Sequence, residues 1–147
     1  MIQMDNIIIR SMKEEDSAEV LEMMRVFYAS PALLSDPSED VMKRDIADCL
    51  GDNPFIECFV FENNTGVIMG YSMVAHSYST ECGGNCVWVE DIYIKPDYRG
   101  KQAHDAHRAA GTEAAVHGQV GYIQNTVGQV HANGHDTPDK PLRTGTR

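Results

Sequence analysis

An α+β domain with a mostly antiparallel sheet flanked by helices is the fold class that this 147-residue sequence predicts. Three observations carry it. Apolar spacing gives the element order strand, helix, helix, then three strands. Clusters of Asn, Gly, Ser and Thr separate the last three strands at hairpin distance. Two consecutive amphipathic helices beside a strand meander bury their apolar stripes against one sheet.

The first strand covers residues 6–10, where three isoleucines run together. Asp16 followed by Glu19 resembles a helix cap, and Val20, Met23, Met24 and Phe27 then recur at helical spacing. The second helix repeats this grammar. Ser38 is its cap, Glu39 and Asp40 sit at the positive end, Met42, Ile46, Cys49 and Leu50 share a face, and Gly51 and Pro54 terminate it. Residues 55–62 and 67–78 form a hairpin across Asn63-Asn64-Thr65-Gly66, and residues 87–95 follow the turn S-T-E-C-G-G-N as a further strand. Alternation along 87–95 puts Trp88, Glu90, Ile92 and Ile94 on one face and Val87, Val89, Asp91, Tyr93 and Lys95 on the other.

Composition changes at Lys101. Residues 1–101 hold all eight Met, all four Phe, all four Cys, the single Trp and 18 of the 22 acidic residues. Residues 102–147 hold five of the six His and have large apolar side chains only at Val116, Val120, Tyr122, Ile123, Val127, Val130 and Leu142. The expected organisation is therefore an ordinary domain part over 1–101 and an atypical continuation over 102–147. That continuation reads as an alanine-rich helix interrupted by Gly111, a short strand around 121–130, and an extended or disordered end. An out-of-frame ending would explain the break, because alanine codons read one base later begin with C and can encode leucine. Sequencing the coding DNA tests it.

The formal charge of −10 argues against nucleic acid or an anionic membrane as the main partner and is compatible with a cationic substrate. No stretch reaches membrane-spanning length, and the start M-I-Q-M-D-N-I-I-I-R lacks the pattern of a secretory signal, so the expected compartment is the cytoplasm. There, Cys49, Cys58, Cys82 and Cys86 are expected to be reduced. C-G-G-N-C has no matching second pair and reads as a loop. His104 with His107, and His131 with His135, lack the further ligands that a metal site needs.

The stretch V-W-V-E-D-I-Y-I-K-P-D-Y-R-G-K at 87–101 resembles the central motif of the GNAT superfamily of acetyl-CoA-dependent N-acetyltransferases. The element order before it fits that fold, so the resemblance covers residues 6–101. It implies a GNAT-like domain using acetyl-CoA as co-substrate, with no metal, and a primary amine of a small molecule or protein as acceptor. It also implies that the strand splays from its neighbour and that its exposed backbone, at Ile92, Tyr93 and Ile94, pairs with the pantetheine arm. The Arg-x-x-Gly-x-Gly loop that follows binds the pyrophosphate in the family, through backbone N–H groups at a helix N-terminus. Arg99, Gly100 and Lys101 match this pattern, whereas Gln102 and His104 stand where the family has glycine. Weak cofactor binding is the expectation.

Glu90 is the candidate catalytic base, since in diamine acetyltransferases the similar segment also reads Glu-Asp and the glutamate contacts the amine. Asp91 reads as a solvated carboxylate near a strand end. Phe27, Tyr28 and Ser30, at the end of the first helix, are the candidate acceptor contacts, and Tyr122 has no surrounding motif to give it the family's proton-donor role. An open sheet edge would favour a homodimer. The competing reading is an impaired GNAT-like domain that binds a partner or self-associates.

Overall fold

The computed structural model of the chain describes residues 2–4, 7–31, 33, 36–81, 83–100, 105, 122–125 and 142–143. Seven strands lie side by side in chain order: β1 (Ile2–Met4), β2 (Ile7–Ser11), β3 (Ile56–Asn63), β4 (Ile68–Ser79), β5 (Gly84–Ile94), β6 (Tyr122–Asn125) and β7 (Leu142–Arg143). Helices α1 (Ser17–Tyr28) and α2 (Glu39–Leu50) come between β2 and β3. Every pairing is antiparallel except β5 with β6, which is parallel. The predicted order over 6–95 therefore holds, with β1 as an added edge strand. The backbone of β6 coincides with the strand expected around 121–130. Of the expected helix after Lys101 only Asp105 is described, with helical backbone, and of the expected extended or disordered end only Leu142–Arg143, as β7; the rest, with the histidine pairs, lies outside the described residues.

Strand alternation sorts the core onto two faces. Along β3, Cys58 and Val60 join one cluster and Phe59 and Phe61 the other. On the first face lie Val20, Met23, Met24 and Phe27 of α1, Met42 and Ile46 of α2, and Tyr71, Met73 and Tyr93 of the sheet. The second face holds Ile7, Ile9, Val74, Val87, Val89 and Ile94 with the two phenylalanines. Each fully buried aromatic or branched side chain contributes of the order of 2 kcal/mol.

The start of α1 differs from its predicted cap. Asp16 makes no side-chain cap for that helix and ends a short 3-10 turn, Glu14–Asp16. Its buried carboxylate accepts from Lys13 N at 2.8 Å and from Arg10 Nη1 and Nη2 at 2.7 and 3.0 Å, while Arg10 Nε donates to Glu62 at 2.9 Å. The Arg10 hydrogen bonds hold the Asp16 carboxyl below the ordinary carboxylate range. A cation from β2 thus outcompetes the helix end for this carboxylate. Ser38 does cap α2, accepting from Val41 N at 3.4 Å. Leu50, expected on the buried face, is 37% exposed because α2 ends there.

The predicted faces of β5 also need correction. Val74 pairs with Val89 and its neighbour Met73 with Asp91, so Glu90 is an extra residue in a β-bulge. The bulge resets the alternation. Val87 and Val89 share their face with Ile92 and Ile94, while Asp91 and Tyr93 turn toward the helices.

Candidate active site

The bulge separates two adjacent carboxylates. Glu90 is exposed, and Asp91 is only 5% exposed. Asp91 was expected to be solvated. Instead it accepts from the Tyr28 hydroxyl of α1 at 2.7 Å and from the Tyr71 hydroxyl of β4 at 3.2 Å. Ser72, fully buried on β4, donates its hydroxyl to the Asp91 carbonyl at 2.9 Å, which satisfies a backbone group at the bulge. Burial pushes the Asp91 carboxyl up to about 6 against the two tyrosine hydrogen bonds, which pull it down. Partial desolvation also raises the Glu90 carboxyl above its ordinary value. Burial first, then the Asp91 charge, raise the Tyr28 hydroxyl, so it remains a hydrogen-bond donor at neutral pH.

Beside the bulge lies the last described pair of the second strand edge. The parallel register of β5 with β6 runs Val87 to Ile123, Trp88 to Gln124 and Val89 to Asn125, the last described residue of β6. From Glu90 to Ile94, β5 keeps β4 on one side and has no strand partner on the other among the described residues. Tyr93 and Ile94 are buried and Ile92 is half-buried, so these three can meet a ligand mainly through backbone.

The loop after β5 is anchored from several directions. Lys95 N donates to Met69 O at 2.8 Å, and Lys95 Nζ pairs with Glu19 of α1 at 2.5 Å. The 3-10 turn Pro96–Tyr98 follows. Arg99 Nε donates to Ile94 O at 2.8 Å, and its guanidinium lies 5.7 Å from the centre of the Tyr93 ring. That leaves the terminal nitrogens as the part of Arg99 able to meet an anion. Gly100 has φ of 124°, a conformation that other residues adopt only with strain, and the space where a Cβ would sit is open. Lys101, Gln102 and His104 lie outside the described residues.

Of the acceptor candidates, Tyr28 is half-buried with its hydroxyl committed to Asp91, and Ser30 is half-buried just beyond the helix. Phe27 is 7% exposed and packs edge-on against Tyr28 and Tyr71, so its ring backs the wall instead of forming its surface. Sequence reasoning missed Asp91, Tyr71 and Ser72. A signal was present: apolar residues fall at 87 and 89, then at 92 and 94, and that change of parity across Glu90-Asp91 marks a bulge. No group of three or more His, Cys, Asp or Glu able to hold a metal ion occurs among the described residues.

Two helices on a mostly antiparallel sheet, a bulged strand with one edge unpartnered among the described residues and an arginine–glycine loop after it define an α+β class of fold. The chain belongs to the acetyltransferase (GNAT) family, whose model matches residues 18–103. It is similar to thialysine N-epsilon-acetyltransferase of Sus scrofa, 37% identical over 108 residues, which are 67% of this chain and 61% of the pig protein. The chain thus spans about three fifths of the length of that relative. Among solved structures it resembles a possible acetyltransferase from Clostridium difficile 630, at 16% identity and TM-score 0.68, covering 88% of this chain and 84% of the other. It also resembles AAC(6')-Iy, solved with the bisubstrate analogue CoA-S-monomethyl-acetylneamine, at 15% identity and TM-score 0.70, covering 97% and 99%. Both likenesses are of fold. No helix among the described residues is long and apolar enough to cross a membrane.

Proposed function

We propose that the chain is an N-acetyltransferase that moves acetyl from acetyl-CoA to a primary amine by direct attack in a ternary complex. The observation that carries this reading is the exposed Glu90 at the β5 bulge, beside a stretch of backbone with no second strand partner among the described residues, in a chain of this family. The free edge over 90–94 would take the pantetheine through backbone groups of Ile92, Tyr93 and Ile94. Arg99, Gly100 and Lys101 would hold the diphosphate. Tyr28 and Ser30, with Phe27 behind them, would shape the acceptor side. Glu90 would accept a proton from the ammonium, directly or through water, freeing the lone pair. The C–N bond then forms, the C–S bond breaks, and CoA leaves as a thiolate that takes up a proton.

The name of the pig relative makes thialysine, with its side-chain amine, the first acceptor to assay. The cytoplasm is the proposed compartment and a homodimer the proposed assembly, with light scattering as its check. A second reading, an impaired binding or self-associating module, is favoured by Gln102 and His104, whose side chains replace the hydrogens of the family's glycines. Calorimetric titration with acetyl-CoA separates the two. Saturable binding weaker than about 10 μM, or roughly −7 kcal/mol, together with CoA release in the presence of thialysine, is expected. An absence of saturable heat up to about 10 mM would sink the acetyltransferase reading.

A further inference from the structure

Two carboxylates are buried among the described residues, and they are held differently. Asp16 faces the Arg10 guanidinium. Asp91 is held by two neutral hydroxyls, from α1 and from β4, and forms no salt bridge among the described residues. Burying a carboxylate on neutral partners is costly, and a core aspartate retained at that cost marks a place where packing has been subordinated to something else. Around Asp91 the titratable groups are Tyr28 of α1, Tyr71 of β4, Asp45 of α2 and Glu90 on its own strand, and the thiols of Cys49 and Cys58 also sense its charge. The charged neighbours among these are acidic.

We infer that Asp91 is a positioning residue for Glu90: clamped by Tyr28 and Tyr71, it fixes the bulge that turns Glu90 outward and sets a negative charge behind it. The clamp works through both of its bonded parts. The Asp91 carbonyl is tied to Ser72 and its carboxylate to the end of α1, so the bulge cannot slip by one residue without breaking all three hydrogen bonds. The charge then acts on Glu90. At neutral pH, where Asp91 is largely ionised, its charge favours the protonated form of Glu90; the coupling is reciprocal, and the Glu90 charge in turn adds to burial in raising the Asp91 carboxyl. Asp91 itself, sealed under the helix, does not need to touch the amine. This role rests on the reading of Glu90 as the base, and its direct test does not.

The test is a carbon-13 NMR titration of the side-chain carboxyls in the folded chain, unmodified and as Glu90→Gln and Tyr28→Phe. The coupling is read at Asp91, whose carboxyl is raised by burial and also by the Glu90 charge. In Glu90→Gln, the Asp91 midpoint is expected to fall by about half a unit. In Tyr28→Phe, which removes a donor to the charged form, the Asp91 midpoint rises. An Asp91 midpoint that stays put in Glu90→Gln overturns the inference. With an active chain, Asp91→Asn is further expected to lower kcat about tenfold with the acetyl-CoA KM unchanged. If the unmodified chain transfers no acetyl group, the acetyltransferase reading fails while the titration still decides the role of Asp91.

Discussion

The two halves of β5 are built from similar residues and do opposite work. Gly84–Val89 lies between two strands, with β4 on one edge and β6 on the other over Val87–Val89, and its inward side chains Val87 and Val89 are fully buried. From Glu90 to Ile94 the strand has β4 as its one strand partner among the described residues and a bulge at its start, where the exposed Glu90 stands next to the buried Asp91. A strand paired on both edges has spent its backbone groups on structure. A strand paired on one edge still has N–H and C=O groups to offer, and the fold has anchored that half by other means: Ser72, Tyr28 and Tyr71 at the bulge, Lys95 and Arg99 at its far end.

The contrast breaks most sharply at Glu90. In Glu90→Gln the rate of acetyl transfer, followed by release of free CoA thiol, should drop about 1000-fold, within the range for a general base. The denaturant midpoint should not move, because the side chain is exposed. A variant that lost stability and activity together would mean that Glu90 is structural.

Gly70 comes next. It pairs with Ile94 in the open half, and a Cβ there would sit 2.2 Å from the Tyr93 carbonyl oxygen and 2.9 Å from Ile94 Cδ1. Gly70→Ala should therefore cost about 3 kcal/mol in chemical unfolding. Ser77→Ala, at an exposed position paired with Cys86 in the closed half, should stay within about 0.5 kcal/mol. Equal effects at the two positions would remove the idea that β4 approaches the open half unusually closely.

A third difference depends on pH. The folded value of Asp91, about 6, lies above the ordinary value, so between about pH 4 and pH 6 the folded chain holds a proton that the unfolded chain has released. Stability from this group is greatest at low pH and falls as the pH rises through that window. Relative to Asp91→Asn, the unmodified chain should lose roughly 2 kcal/mol between pH 4 and pH 7 in paired unfolding curves. Asp16 has the opposite sign, since Arg10 keeps its carboxyl low: its contribution is present at neutral pH and is lost as the pH falls through the lowered value. A constant difference between the two chains across this range would show that Asp91 is not desolvated.

The smallest expected effect is at the loop. Arg99→Gln should weaken acetyl-CoA binding about tenfold, near 1.4 kcal/mol, through the loss of charge-assisted contact. Retained affinity would mean that Arg99 only braces Ile94 and Tyr93.

By itself the sequence determined the element order over 6–95, the Ser38 cap and, Leu50 aside, the apolar faces of both helices, because periodicity, capping and turn chemistry are local properties of a few consecutive residues. The strand in the 121–130 region was legible for the same reason. The tertiary structure alone decided which residue bulges and which carboxylate is buried. Those outcomes depend on register between strands and on partners distant in the chain. Tyr28 and Asp91 are separated by 63 positions, and Arg10 reaches across 52 to Glu62 while also capturing Asp16 from its expected cap. One extra residue at Glu90 reverses the face of every later side chain on the strand, so a pattern with a period of two fixes the faces only up to the bulge.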